Sequence, residues 1–77
     1  MSKGAQGQTV PEQVFDYLKR EAPAFQCDDC IAGVLHILPR NQINPIASAF
    51  GLTRDFRREK GQCAICDKVK LVTRYER

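Results

Sequence analysis

The chain has 77 residues, four cysteines, and 12 basic against nine acidic side chains, for a formal charge of +3. A chain of this length holds one small domain at most, and such domains bury so little surface that they usually need a staple. No stretch approaches the length of a membrane span, and Met1–Gln8 lacks the apolar core of a signal peptide, so the expectation is a cytoplasmic protein with reduced thiols.

Met1–Gln8, built from Gly, Gln, Ala, Ser and one Lys, reads as a disordered tail, which leaves residues 9–77 as the domain. Thr9-Val10-Pro11-Glu12 is a capping box, with proline in the first turn where its missing N–H is tolerated. It opens a helix expected over about Val10–Glu21. Val14, Phe15, Tyr17, Leu18 and Ala22 follow at helical spacing between Glu12, Asp16, Lys19 and Arg20, and Pro23 is the stop. Phe25 and Gln26 lead into Cys27-Asp28-Asp29-Cys30. Asp28 or Asp29 can cap a second helix that turns Ile31, Val34, Leu35 and Leu38 inward and ends at Pro39. A third helix covers part of Arg40–Phe50, with Ile43, Ala47 and Phe50 at i, i+4 and i+7. Pro45 admits two readings: Asn44 caps a helix with Pro45 at its first position, or the helix starts near Pro39 and kinks. Gly51 suits a helix C-terminus.

Phe56–Gln62 reads as a short strand and turn, and Cys63-Ala64-Ile65-Cys66 as a knuckle. Lys68–Tyr75 alternates as a strand: Val69, Leu71, Thr73 and Tyr75 face one way, Lys68, Lys70, Val72 and Arg74 the other. The expected fold is α+β: three helices followed by a two-stranded β-hairpin, the order of a winged helix-turn-helix. The expected core is Val14, Phe15, Leu18, Phe25, Ile31, Val34, Leu35, Ile43, Ala47, Phe50, Phe56, Val69 and Leu71.

The four cysteines form two C-x-x-C units, and each such unit brings two sulfurs to one ion from a tight turn. Cys27, Cys30, Cys63 and Cys66 therefore make the ligand set of one tetrahedral Zn2+ site, with iron as the competing metal and disulfides or free thiols as the metal-free alternatives. A redox C-x-x-C would normally sit in a βαβ unit, for which the chain is too short and wrongly patterned. Zinc would tie the start of the second helix to the turn of the hairpin. Four sulfurs leave the metal no open position at which to activate water. The single histidine, His36, sits in the turn after helix two, where its ring can meet the last carbonyls. With no phosphate loop and no nucleophile constellation either, a non-enzymatic role is expected.

Phe25-Gln26-Cys27-Asp28-Asp29-Cys30-Ile31-Ala32, together with Phe56-x-Arg58-x-x-Gly61-x-Cys63-x-x-Cys66-x-x-x-Lys70-x-Val72, resembles a group of small bacterial proteins that look like zinc-tethered winged helix-turn-helix domains. The resemblance covers most of residues 11–75, and it implies this fold and a structural zinc.

Two functions follow as expectations. Residues 1–39 carry three basic against five acidic groups, a net −2, whereas residues 40–77 carry nine against four, a net +5. Four thiolates around a divalent ion lower the total from +3 to +1, so attraction to a polyanion depends on where the charges lie. In the first reading the domain binds double-stranded DNA as a transcription-regulatory module. Arg40, Asn41, Gln42, Asn44 and Ser48 of helix three would read bases, and Arg57, Arg58, Lys60, Lys68 and Lys70 of the wing would hold phosphates. In the second it is a protein-interaction module without nucleic-acid binding, using Val72, the hairpin edges, Ile37 and Leu52.

Overall fold

The structure, a computed structural model, describes residues 9–76; the tail read over Met1–Gln8 lies outside them. The elements in chain order are α1 (Val10–Arg20), β1 (Gln26–Cys27), α2 (Asp28–Leu35), a 3-10 turn (Arg40–Gln42), α3 (Ile43–Phe50), β2 (Phe56–Gln62) and β3 (Val69–Tyr75). The capping box forms as its residues dictate. The Glu12 N–H donates to Thr9 Oγ1 at 3.3 Å, and the Thr9 N–H donates to Glu12 Oε1 at 3.0 Å.

The sheet corrects the two-stranded expectation: it has three antiparallel strands in the order β1-β3-β2. Gln26 and Cys27 of β1 stand opposite Thr73 and Val72, and β2 pairs with β3 from Phe56↔Tyr75 to Gln62↔Val69. A two-residue strand is too short to display an alternation, so only its pairing reveals it. That pairing sets Cys27 against the central strand.

The third helix matches neither reading of Pro45 in full. A 3-10 turn follows Pro39 and runs into α3, of which Pro45 is the third residue. Proline is tolerated in the first turn of a helix, where its fixed φ suits the helical backbone. α3 does end at Gly51, but not through a left-handed glycine, since Gly51 has φ −63°. A Cβ on Gly51 would stand 2.7 Å from Cβ of Arg58, so close approach of β2 is what demands glycine. A left-handed residue closes α2 instead: His36, at φ 55°, after which Ile37 turns into the core.

Two clusters form the interior. Val14, Tyr17, Leu18, Ile31, Ala32, Ile37, Ile43, Ala47 and Phe56 are buried where the helices meet one face of the sheet. Phe15, Phe50 and Tyr75 close around Phe56, with Phe50 stacked on it at 4.6 Å and Tyr75 edge-on at 5.3 Å. The Tyr17 hydroxyl reaches the same interior and donates to the buried Gln26 Oε1. The second cluster lies on the opposite face: Cys27, Cys63 and Val72 are buried, with Phe25, Cys30 and Cys66 against them.

Three expected core residues are exposed instead. Val34 lies off the buried stripe of α2, which is centred on Ile31, Ala32 and Leu35. Val69 and Leu71 share the face of Thr73 and Tyr75, as alternation predicts, but they lie on the outer half of the hairpin and are 64% and 51% exposed. Val72 is the reverse case: assigned to the open face, it has no exposed surface, because the second cysteine pair folds back over it.

Candidate metal centre

The four cysteines converge from two structural positions. Cys27 ends β1 and stands at the N-cap of α2, whose first turn carries Cys30. Cys63 directly follows β2, and Cys66 lies in the turn that leads to β3. Backbone bonds shape this knuckle: the Cys63 N–H donates to the Lys68 carbonyl at 3.0 Å and the Asp67 N–H to the Cys63 carbonyl at 3.0 Å. Asp67 takes φ 63° to close the turn. The Ala64 N–H donates to the Phe25 carbonyl at 2.8 Å, which stitches the knuckle to the segment entering β1.

All four Sγ atoms lie within 4.8 Å of one another. Cys27 Sγ is 3.8 Å from Cys66 Sγ, and Cys30 Sγ is 3.7 Å from Cys63 Sγ. Sulfurs about 2.3 Å from a central ion at the corners of a tetrahedron stand about 3.8 Å apart. The donor set therefore fits one tetrahedral metal ion. Cys27 and Cys63 are buried, whereas Cys30 and Cys66 are partly exposed.

The electrostatics of the thiols point the same way. Burial pushes the Cys63 thiol up, but the amides of Cys66, Cys27 and Ile65 outweigh it and bring the thiol down to about 6. Two of those N–H groups, on Cys27 and Ile65, donate to Cys63 Sγ at 3.4 Å. Burial raises the Cys27 thiol. Burial and then the neighbouring cysteines raise Cys30 far above its ordinary value. Without a cation the cluster accommodates charge on one sulfur at the expense of the others; a divalent ion removes that conflict.

The two aspartates between the first ligands are the partners of hairpin cations. Arg58 makes a forked pair with Asp28, at 2.9 and 3.1 Å, and donates to Thr73 Oγ1 at 2.9 Å. Its side chain is only 8% exposed. Lys70 Nζ donates to Asp29 Oδ2 at 2.9 Å, and this pair is far more open. Lys70 holds the Asp29 carboxyl below the usual range, and the charges of Arg40 and Lys68 add to the effect. Nothing in local sequence marks these pairs, because the partners lie 30 and 41 residues apart. The one available cue was acidic residues beside ligand cysteines and basic residues in the hairpin.

The residues expected at a nucleic-acid interface fall into two groups. Arg40, Asn41, Asn44 and Ser48 are exposed on the 3-10 turn and α3, and Lys60 and Lys68 are exposed on the hairpin. Among the described residues, no side-chain hydrogen bond or ion pair engages these six. The others are occupied. The Gln42 amide donates to the Leu38 carbonyl at 2.6 Å. Arg57 pairs with Glu59 at 2.8 Å and Glu76 at 3.7 Å, while Arg58 and Lys70 hold the aspartates. Ser48, Gly51, Leu52, Arg58 and Leu71 line a shallow groove between α3 and the hairpin. No helix of the described residues is long and apolar enough to cross a membrane.

Comparison with known protein families, with curated proteins and with solved structures finds no match.

Proposed function

We propose that this chain is a zinc-stapled winged helix-turn-helix module that binds double-stranded DNA through α3 and the hairpin. The observation that carries the reading is the polar face of the third helix. Asn44 and Ser48 stand exposed there, and Arg40 and Asn41 on the 3-10 turn that leads into it, with no side-chain hydrogen bond or ion pair among the described residues, in a chain whose element order and β1-β3-β2 sheet suit a winged helix. An arginine can pair with guanine and an asparagine with adenine through two hydrogen bonds each. Lys60 and Lys68 are the hairpin cations available to phosphates. Arg57, Arg58 and Lys70 already hold carboxylates, and the reading gives them smaller parts. Zinc is the metal of choice because a closed set of four thiolates in tetrahedral array is its structural site, and reduced thiols suit a cytoplasmic setting.

The test is anisotropy of a labelled mixed-sequence duplex titrated with zinc-loaded protein at two salt concentrations. The expected result is salt-sensitive binding, and Lys60→Glu/Lys68→Glu should flatten the salt slope by about two. A wild-type protein with no salt-sensitive affinity would overturn the reading.

One observation favours a protein partner instead. Leu52, 90% exposed, and Leu71, 51% exposed, both line the groove between α3 and the hairpin. Val72 and Ile37, by contrast, are buried and can contribute nothing to such a surface. Salt-insensitive association that is lost in Leu52→Ser/Leu71→Ser would favour this second reading.

A further inference from the structure

We propose that Lys70, tethered by Asp29, is a countercharge to the metal centre that slows loss of the ion. The inference rests on the reading that the four cysteines hold zinc.

Placement is the first ground. Alternation along β3 puts Lys70 on the same face as Val72, which packs against Cys27 and Cys63. Its cross-strand neighbour is Gly61, which has no side chain to stand between Lys70 and the cysteines. The second ground is the tether. Asp29 lies between two ligands in sequence, in the first turn of α2, and accepts a hydrogen bond from Lys70 Nζ at 2.9 Å. That bond holds the ammonium at the first turn of α2, which also carries Cys30. The Asp29 carboxylate holds Lys70 above its ordinary range, and the charges of Cys27 and Cys66 add to this.

The third ground is charge balance. A divalent ion with four thiolates carries −2, and Asp28 and Asp29 add one negative charge each at the same end of α2. Arg58 neutralises Asp28 through its forked pair. Lys70 is the cation bonded to Asp29, and it lies within the electrostatic reach of Cys27 and Cys66. Removing its charge leaves the loaded site more strongly self-repelling, and relief comes from releasing the metal or protonating a thiolate. Groups around a metal site that do not touch the ion still change its affinity in this way. The pair is open to solvent, so the effect is a modest factor and weakens with salt.

The experiment measures the rate at which the zinc-loaded chain surrenders Zn2+ to excess chelator, for wild type, Lys70→Gln, Lys70→Arg and Lys60→Gln. Lys60→Gln removes the same charge from the other face of the hairpin. At low salt Lys70→Gln should release zinc about threefold to tenfold faster than wild type. Lys70→Arg and Lys60→Gln should stay near the wild-type rate, and the gap should narrow near 1 M salt, where the screening length is about 3 Å. If Lys70→Gln loads too weakly for a rate, competition for Zn2+ against the same chelator must register a loss of affinity of similar size. Equal rates for Lys70→Gln and wild type would overturn the proposal. So would an equal acceleration in Lys60→Gln, which would reduce the effect to net charge. A wild-type chain that takes up no zinc fails the metal reading itself, a result distinct from both.

Discussion

Replacing Arg58 with methionine tests whether this arginine is an internal strut. The substitution keeps the aliphatic stem that packs against Gly51 and removes the guanidinium that joins Asp28 and Thr73. Breaking one side of a fully buried ion pair costs about 3–5 kcal/mol. Asp28 is 20% exposed, so water can recover part of its solvation, which reduces the cost to about 2 kcal/mol. The Thr73 hydroxyl, fully buried, loses its donor for about 1 kcal/mol more. The predicted loss is therefore about 3 kcal/mol, out of roughly 4–10 kcal/mol for a domain of this size. The assay is urea unfolding followed by far-UV circular dichroism at a fixed excess of zinc, since ligand concentration enters apparent stability. Asp28→Leu combined with Arg58→Met should cost less than the sum of the single changes, because only the double change leaves no unpaired charge behind. A loss below about 0.5 kcal/mol, or strict additivity, would refute the reasoning.

Other predictions follow from the same structure. Gly51→Ala must push Arg58 away from a 2.7 Å contact, so a loss of about 1–3 kcal/mol is expected, read as a lower melting temperature. Thr9→Ala removes the cap of α1 and should cost about 1 kcal/mol, with faster hydrogen exchange confined to the first turn. Tyr17→Phe leaves the buried Gln26 carbonyl without its donor, at about 1–3 kcal/mol by chemical denaturation. Burial, ahead of its other neighbours, raises the Tyr17 phenol above 10.0. The folded state thus binds that proton more tightly than the unfolded state. The resulting stability is complete below the unfolded value and is lost as pH rises through the folded one. Phenolate absorbance of a Tyr75→Phe chain should accordingly appear late and together with unfolding. At the acid end protons compete with metal for the thiolates, so zinc affinity should fall as pH drops below neutrality, measured by competition with a chelator.

The parts of this fold legible in the sequence are those written in short-range spacing. Thr9 and Glu12 announce their reciprocal bonds because both partners lie in one turn. The paired C-x-x-C units announce a ligand set because two residues between cysteines suit a single ion. Alternation correctly groups Val69 with Leu71, Thr73 and Tyr75, but a period of two says nothing about how far along a hairpin its cover extends. The helices stop short of Val69 and Leu71, while the knuckle covers Val72 on the face that alternation left open. Arg58 and Lys70 read as wing cations because their carboxylates are distant in sequence and meet them only when Cys27–Cys30 docks against the hairpin. β1 was invisible because two residues carry no periodicity.

A metal ion shared by Cys27, Cys30, Cys63 and Cys66 would be required for the fold, because the free energy of binding a structural metal is folding free energy. Native mass spectrometry of the chain purified in a reducing buffer, paired with an amide correlation spectrum before and after chelation, tests this most directly. The prediction is one zinc per chain, with the displaced thiol protons missing from the mass, and a dispersed spectrum that collapses when zinc is removed or when Cys63 is changed to serine. A chain that carries no metal and keeps the same dispersed spectrum would contradict it.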